Sequence, residues 1–95
     1  MRLPPLTVSC IKNAVQTLAP DSELLLFGSR TNDAAKGGDI DLLLLTEEKL
    51  PLTLISRMRR MIINEIGEQK IDLVNFSKSS THPFKEIALE TAIRL

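Results

Sequence analysis

Residues 24–45 read LLLFGSRTNDAAKGGDIDLLLL: two apolar runs separated by a segment that holds three of the chain's four glycines and closes on two aspartates one residue apart. Residues 23–27 are too few for a helix and read as a buried strand that Gly28 ends. Residues 39–45 read as a second strand, opened by Asp39 and Asp41. Isolated carboxylates leave water at a cost of several kcal/mol unless something neutralises them. The pair therefore asks for a partner.

Working outward, Val8, Ile11, Val15 and Leu18 recur at helical spacing, which predicts a helix over 6–18 that closes at Ala19-Pro20. Leu52, Ile55, Ile62, Ile63 and Ile66 predict a second helix from Pro51 to Gly67, with Arg57 and Arg60 on its solvated face. Residues 70–76 read as a third strand, SKSST as a polar loop, and 83–95 as a closing helix. On its last helix, Phe84, Ile87, Ala88, Thr91 and Leu95 would cover the sheet, with Leu89 and Ile93 on the opposite side. The expected fold class is α/β (α+β): a small mixed sheet of about three strands with helices packed on it, in the order α-β-β-α-β-α, as a single domain over 1–95.

This order already places a site. Strand 39–45, helix 51–66 and strand 70–76 form a β-α-β unit, whose right-handed crossover joins parallel neighbours that begin at the same edge. Both strands begin with the same tripeptide, Ile40-Asp41-Leu42 and Ile71-Asp72-Leu73. With strands about 4.8 Å apart, Asp41 and Asp72 face one another if the pairing is in register. Asp39 shares the face of Asp41 at roughly 6.6 Å along the strand. Three carboxylates so close repel, and a divalent cation is the usual means of holding them ionised together. If the first two strands are antiparallel neighbours, Gly28 and Ser29 end beside these acids, where a glycine lets a ligand approach the backbone and Ser29 can donate to phosphate oxygens.

Composition bounds the alternatives. The chain has 95 residues, 43% of them apolar, with twelve basic and twelve acidic side chains. One modest core is expected, and no apolar run approaches a membrane span. Two prolines near the start interrupt any signal-peptide core, and the single Cys10 has no partner for a disulfide or a zinc site, so a cytoplasmic protein is expected. Cys10 reads as a small packed hydrophobe, and His82 as a residue at a helix N-terminus without a catalytic role. Zero formal net charge argues against grip on bulk nucleic acid. Three phenylalanines with no Trp or Tyr leave little surface for a base to stack on, so base selectivity should be weak or supplied by another chain.

Known phosphate and calcium motifs do not match: Lys36-Gly37-Gly38 is not the end of a P-loop, no GxGxxG follows a strand, and an EF-hand would need a further oxygen ligand and a glycine beyond Asp41. The arrangement GS, a gap of nine, then DID opening an apolar strand, with Asp72 opening a later one, instead resembles the nucleotidyltransferase superfamily that includes DNA polymerase beta. More narrowly, FGSR...GGDIDLL and the HPF that opens the last helix resemble the minimal nucleotidyltransferases of prokaryotes. The resemblance implies that Gly28 and Ser29, followed by Arg30, contact the triphosphate, that Asp39 and Asp41 hold Mg2+, and that Asp72 completes the metal and catalytic set. Residues 31–35 stand where the group often has Ala-x-Gly after the arginine.

The resemblance further implies transfer of a nucleoside monophosphate, AMP from ATP, to a hydroxyl of a partner protein or other acceptor. Such proteins are commonly encoded beside a small helical partner, either a HEPN-type toxin or a four-helix-bundle protein, which suggests one half of a toxin–antitoxin pair. Two readings of different class stay open: an enzyme, or a binding module that neutralises its partner by occlusion. A homodimer is the alternative assembly. A nucleotide-sugar transferase using the DxD pair is disfavoured, because 95 residues leave no room for an acceptor-binding half.

Overall fold

The computed structural model describes residues 3–28, 40–67 and 69–95. Helix α1 spans Pro5–Leu18, starting on a proline at a position whose N–H would have no helical partner, and the Ala19 N–H closes it onto Val15 O at 2.7 Å. Strand β1, Glu23–Phe27, runs antiparallel to β2, Ile40–Thr46. Helix α2, Leu52–Ile66, starts after Pro51 and stops at Gly67, whose φ of 88° favours a residue without a Cβ. It carries the chain over to β3, Ile71–Ser77, which lies parallel to β2. Helix α3 spans Pro83–Thr91 and β4 spans Ile93–Arg94. The sheet order is β3-β2-β1-β4.

The sheet is buried on both faces, which is why its leucines run in succession rather than alternating with polar residues. Leu24, Leu26, Ile40, Leu42, Leu44 and Ile71 meet Ile11, Ala14 and Val15 of α1 and Ile55, Met58 and Ile62 of α2. The opposite face, with Leu25, Leu43 and Leu45, is covered by Ala88 of α3, with Phe27, Val74 and Phe76 at its margin. Among the described residues, no helix is long and apolar enough to cross a membrane.

The mixed α/β fold and its α-β-β-α-β-α order are as expected, with four corrections. The sheet has four strands rather than three, because the last segment leaves the helix at Ala92 and pairs Ile93 and Arg94 with Leu26 and Leu25. Leu95 and Ile93 therefore lie on no helix, and the backbone of β1 gains partners that a longer helix would deny it. On α3 the buried residues are Lys85 and Ala88, whereas Ile87, expected to cover the sheet, is 64% exposed. Small Ala88 seats the helix on the leucines, and the Lys85 ammonium is satisfied by donating to Lys78 O and Ser80 O, each at 2.8 Å. On α2, Leu52 is 78% exposed and Met58 is fully buried, so the inward stripe begins one turn later than its apolar pattern implied. Strands β2 and β3 each run to one residue beyond the expected end, at Thr46 and Ser77.

Candidate active site

The register across three strands decides what stands beside what. Phe27 pairs with Asp41 across the antiparallel β1–β2 ladder, and Asp41 pairs with Asp72 across the parallel β2–β3 ladder. Side chains alternate along a strand, so Asp41 shares a face with Leu43, and Asp72 with Val74. Phe27, Asp41 and Asp72 consequently form one row across the sheet, one row beyond the leucines that α3 covers. The two acids sit at a strand start, outside the apolar cluster. Asp41 is half-buried and Asp72 exposed.

Gly28 follows Phe27 with a φ of 77°, in the left-handed region that L side chains avoid. A Cβ there would stand 2.5 Å from Asp41 Oδ2 and 3.3 Å from its Cγ. The room that a glycine leaves is thus taken up by the protein's own carboxylate. The expectation that Gly28 lies beside the acids holds, and its reason is sharpened: the backbone turn must pass close to Asp41. Ser29, Arg30 and Asp39, the other expected site residues, lie outside the described residues. Among the described residues no group of three or more His, Cys, Asp or Glu side chains is placed to hold a metal ion.

A cleft of about 440 Å³ opens over this row, lined by Phe27, Asp41, Asp72 and Val74 together with Phe84 from α3 and Arg59 from α2. Arg59 was not singled out by sequence reasoning, because one arginine among three on a solvated helix carries no signal of its own. β3 is the edge strand on that side, and Ile71 and Leu73 of β3 line the cleft as well, so it extends to the sheet edge beside α2. Phe84 likewise arrives from the far end of the chain. His82 caps α3, its Nδ1 accepting from the Phe84 N–H at 3.1 Å, in agreement with the expected role at a helix N-terminus.

A second cleft, of about 390 Å³, lies at the opposite end of the sheet and is lined by Lys12, Glu23, Lys78 and Arg94 among others. Arg94 is paired with Glu23, and Lys78 with Glu47 at 3.5 Å, so most of its cations are already neutralised. It has neither opposed carboxylates nor a backbone turn against one.

A family model described as a nucleotidyltransferase domain matches residues 8–95, nearly the whole chain. The chain belongs to the nucleotidyltransferase domain family. No curated protein matches it. Membership agrees with the resemblance read from GS, DID and the later aspartate, and it supports nucleotidyl transfer as the general activity of this nucleotidyltransferase domain. The row at Asp41 and Asp72 lies within the matched region, as does the glycine turn. Two carboxyl groups on adjacent strands offer hard oxygen donors of the kind that magnesium takes, so the donor set fits a divalent cation. Cys10, also within the match, belongs to packing: burial, and after it Glu65, raise its thiol pKa, and Sγ lies 3.9 Å from Ile62 O.

Proposed function

We propose that this chain transfers a nucleoside monophosphate, AMP from ATP, to an acceptor hydroxyl in a magnesium-dependent reaction. The observation that carries the reading is the in-register pairing of Asp41 with Asp72 beside the Gly28 turn. Asp41 and Asp72, with Asp39 joining them, would hold magnesium, which when bound neutralises the triphosphate and orients its α-phosphorus. Asp72 is the more exposed of the described pair. It takes the proton of the acceptor hydroxyl as the oxygen attacks the α-phosphorus. The new O–P bond forms as the bond from the α-phosphorus to the bridging oxygen breaks, and pyrophosphate leaves. Gly28, Ser29 and Arg30 contact the triphosphate in this reading. The acceptor is a hydroxyl on a small helical partner protein of the HEPN or four-helix-bundle kind, which would make the pair antitoxin-like.

The test is transfer of radiolabelled AMP from ATP in the presence of magnesium and the protein encoded beside this one. Asp41→Asn and Asp72→Asn each keep the size of the side chain and remove its charge. Each should lower transfer by at least 10³-fold or so, since groups that act as one unit are not additive, while leaving the far-UV circular dichroism unchanged. Wild-type transfer by either folded variant would refute the assignment.

A further inference from the structure

All the aromatic rings of this chain, three phenylalanines and one histidine, form one series of contacts along the sheet face that α3 covers, from Phe27 opposite Asp41 to Phe76 opposite Leu45. Phe27 meets Phe84 edge-to-face, with ring centroids 5.9 Å apart and planes at 84°. Phe84 lies 6.2 Å from Phe76, and Phe76 lies 5.1 Å from the His82 ring. The sequence count of three phenylalanines suggested too little aromatic surface for a base. The fold concentrates what there is.

Phe84 is held on three sides. Its backbone N–H is bound by His82, its ring is fixed by Phe27 and Phe76, and its neighbour Lys85 is buried. It is nevertheless 42% exposed, and the open part of the ring lines the cleft that holds Asp41 and Asp72. An exposed phenylalanine alone means little. A ring held by two others and lining the same cleft as a carboxylate pair has a defined use. Phe84 stands one strand spacing and one ring contact away from Asp41, since Phe27 is the register partner of that aspartate. A sugar ring bridges a separation of that order between an α-phosphate and its base.

We infer that Phe84 is the nucleobase platform of this site: a base whose phosphates lie at Asp41 and Asp72 stacks on its open ring face. This rests on the nucleotide reading above and adds the part of the substrate that the reading leaves open. Every base has a π-face, so a stacking platform tolerates sequence and ranks bases by stacking area. The cleft should therefore accept all four nucleotides and prefer the purines, without a hydrogen-bond code. The Phe27 edge sets the tilt of the Phe84 ring, as aromatic pairs favour that arrangement.

Calorimetry with magnesium and three probes, ATP, UTP and inorganic tripolyphosphate, separates the platform from the phosphate site. Phe84→Ala should weaken ATP binding about tenfold, the order of one base–aromatic stack, and leave tripolyphosphate binding unchanged. Phe84→Leu keeps apolar packing without a π-face and should lose ATP affinity as well, whereas Phe84→Trp should restore it and widen the preference for ATP over UTP. Equal weakening of ATP and tripolyphosphate by Phe84→Ala, unchanged ATP binding, or failure of Phe84→Trp to restore it would each overturn the platform. A wild-type protein that binds none of the three probes would instead bring down the nucleotide site itself, and the platform with it.

Discussion

At Gly28 two constraints fall on one residue: a left-handed backbone and an approach of 2.5 Å between the place of a Cβ and Asp41 Oδ2. Either alone would favour glycine, and together they bar any other residue without a shift of the carboxylate. Gly28→Ala should cost about 1–2 kcal/mol from the left-handed conformation alone. It should also push Asp41 out of its row with Asp72. Urea unfolding reads the first effect and magnesium-ATP calorimetry the second. An alanine variant with wild-type stability and affinity would show that the turn relaxes freely. Gly67 is a useful contrast, because its φ is also positive but nothing lies within 4 Å of its missing Cβ, so only the backbone conformation requires it.

At the scale of elements, the end of the sheet away from the site is tied by one side chain. Asn75 of β3 donates through Nδ2 to Leu44 O at 2.9 Å and to Thr46 Oγ1 at 3.1 Å, and its Oδ1 accepts the Leu50 N–H at 2.6 Å. It thereby joins β3, the end of β2 and the connection into α2. Asn75→Leu keeps comparable bulk and leaves the Leu50 N–H without its acceptor, which should cost about 1–3 kcal/mol. Asn75 pairs with Leu44, three positions beyond the Asp41–Asp72 pair, so nucleotide affinity well below the melting temperature should not change. Thermal unfolding followed beside calorimetry checks both halves, and a loss of affinity without a loss of stability would contradict the separation of the two ends.

For the whole molecule, β4 is short but closes the β1 side of the sheet. Ile93 and Arg94 pair with β1, the Leu95 N–H donates to Leu24 O at 3.1 Å, and Arg94 pairs with Glu23. Removing residues 93–95 would leave the β1 edge open, and an open apolar edge is a template for pairing with another chain. The truncated chain should melt several degrees lower, as expected for a loss of about 1 kcal/mol in a domain of this size. It should also associate in a concentration-dependent way in sedimentation velocity. A truncated chain with wild-type melting and no added association would show that β4 contributes nothing.

Much of this arrangement was legible in the residues. Strand β1 has the limits read from its apolar run, α2 ends at the expected Gly67, and the repeated Ile-Asp-Leu implied a register that the β2–β3 ladder now has. These features are local or follow from chain connectivity: periodicity marks each element, and the handedness of a β-α-β crossover leaves few ways to place parallel strands. The closing segment was misread as one helix over 83–95, because its apolar spacing fits a helix and the open edge of β1 is invisible in one dimension. Arg59 and the cluster of Phe27, Phe76 and Phe84 were out of reach for the same reason. Sequence alone determined the elements from α1 to the start of α3, their order and the acids at the starts of β2 and β3, since backbone propensity and hydrophobic period act over a few residues. Only the tertiary structure decided that Phe27 and Phe84 meet beside those acids and that Ile93 and Arg94 join the sheet, because both depend on contacts between segments far apart in the chain.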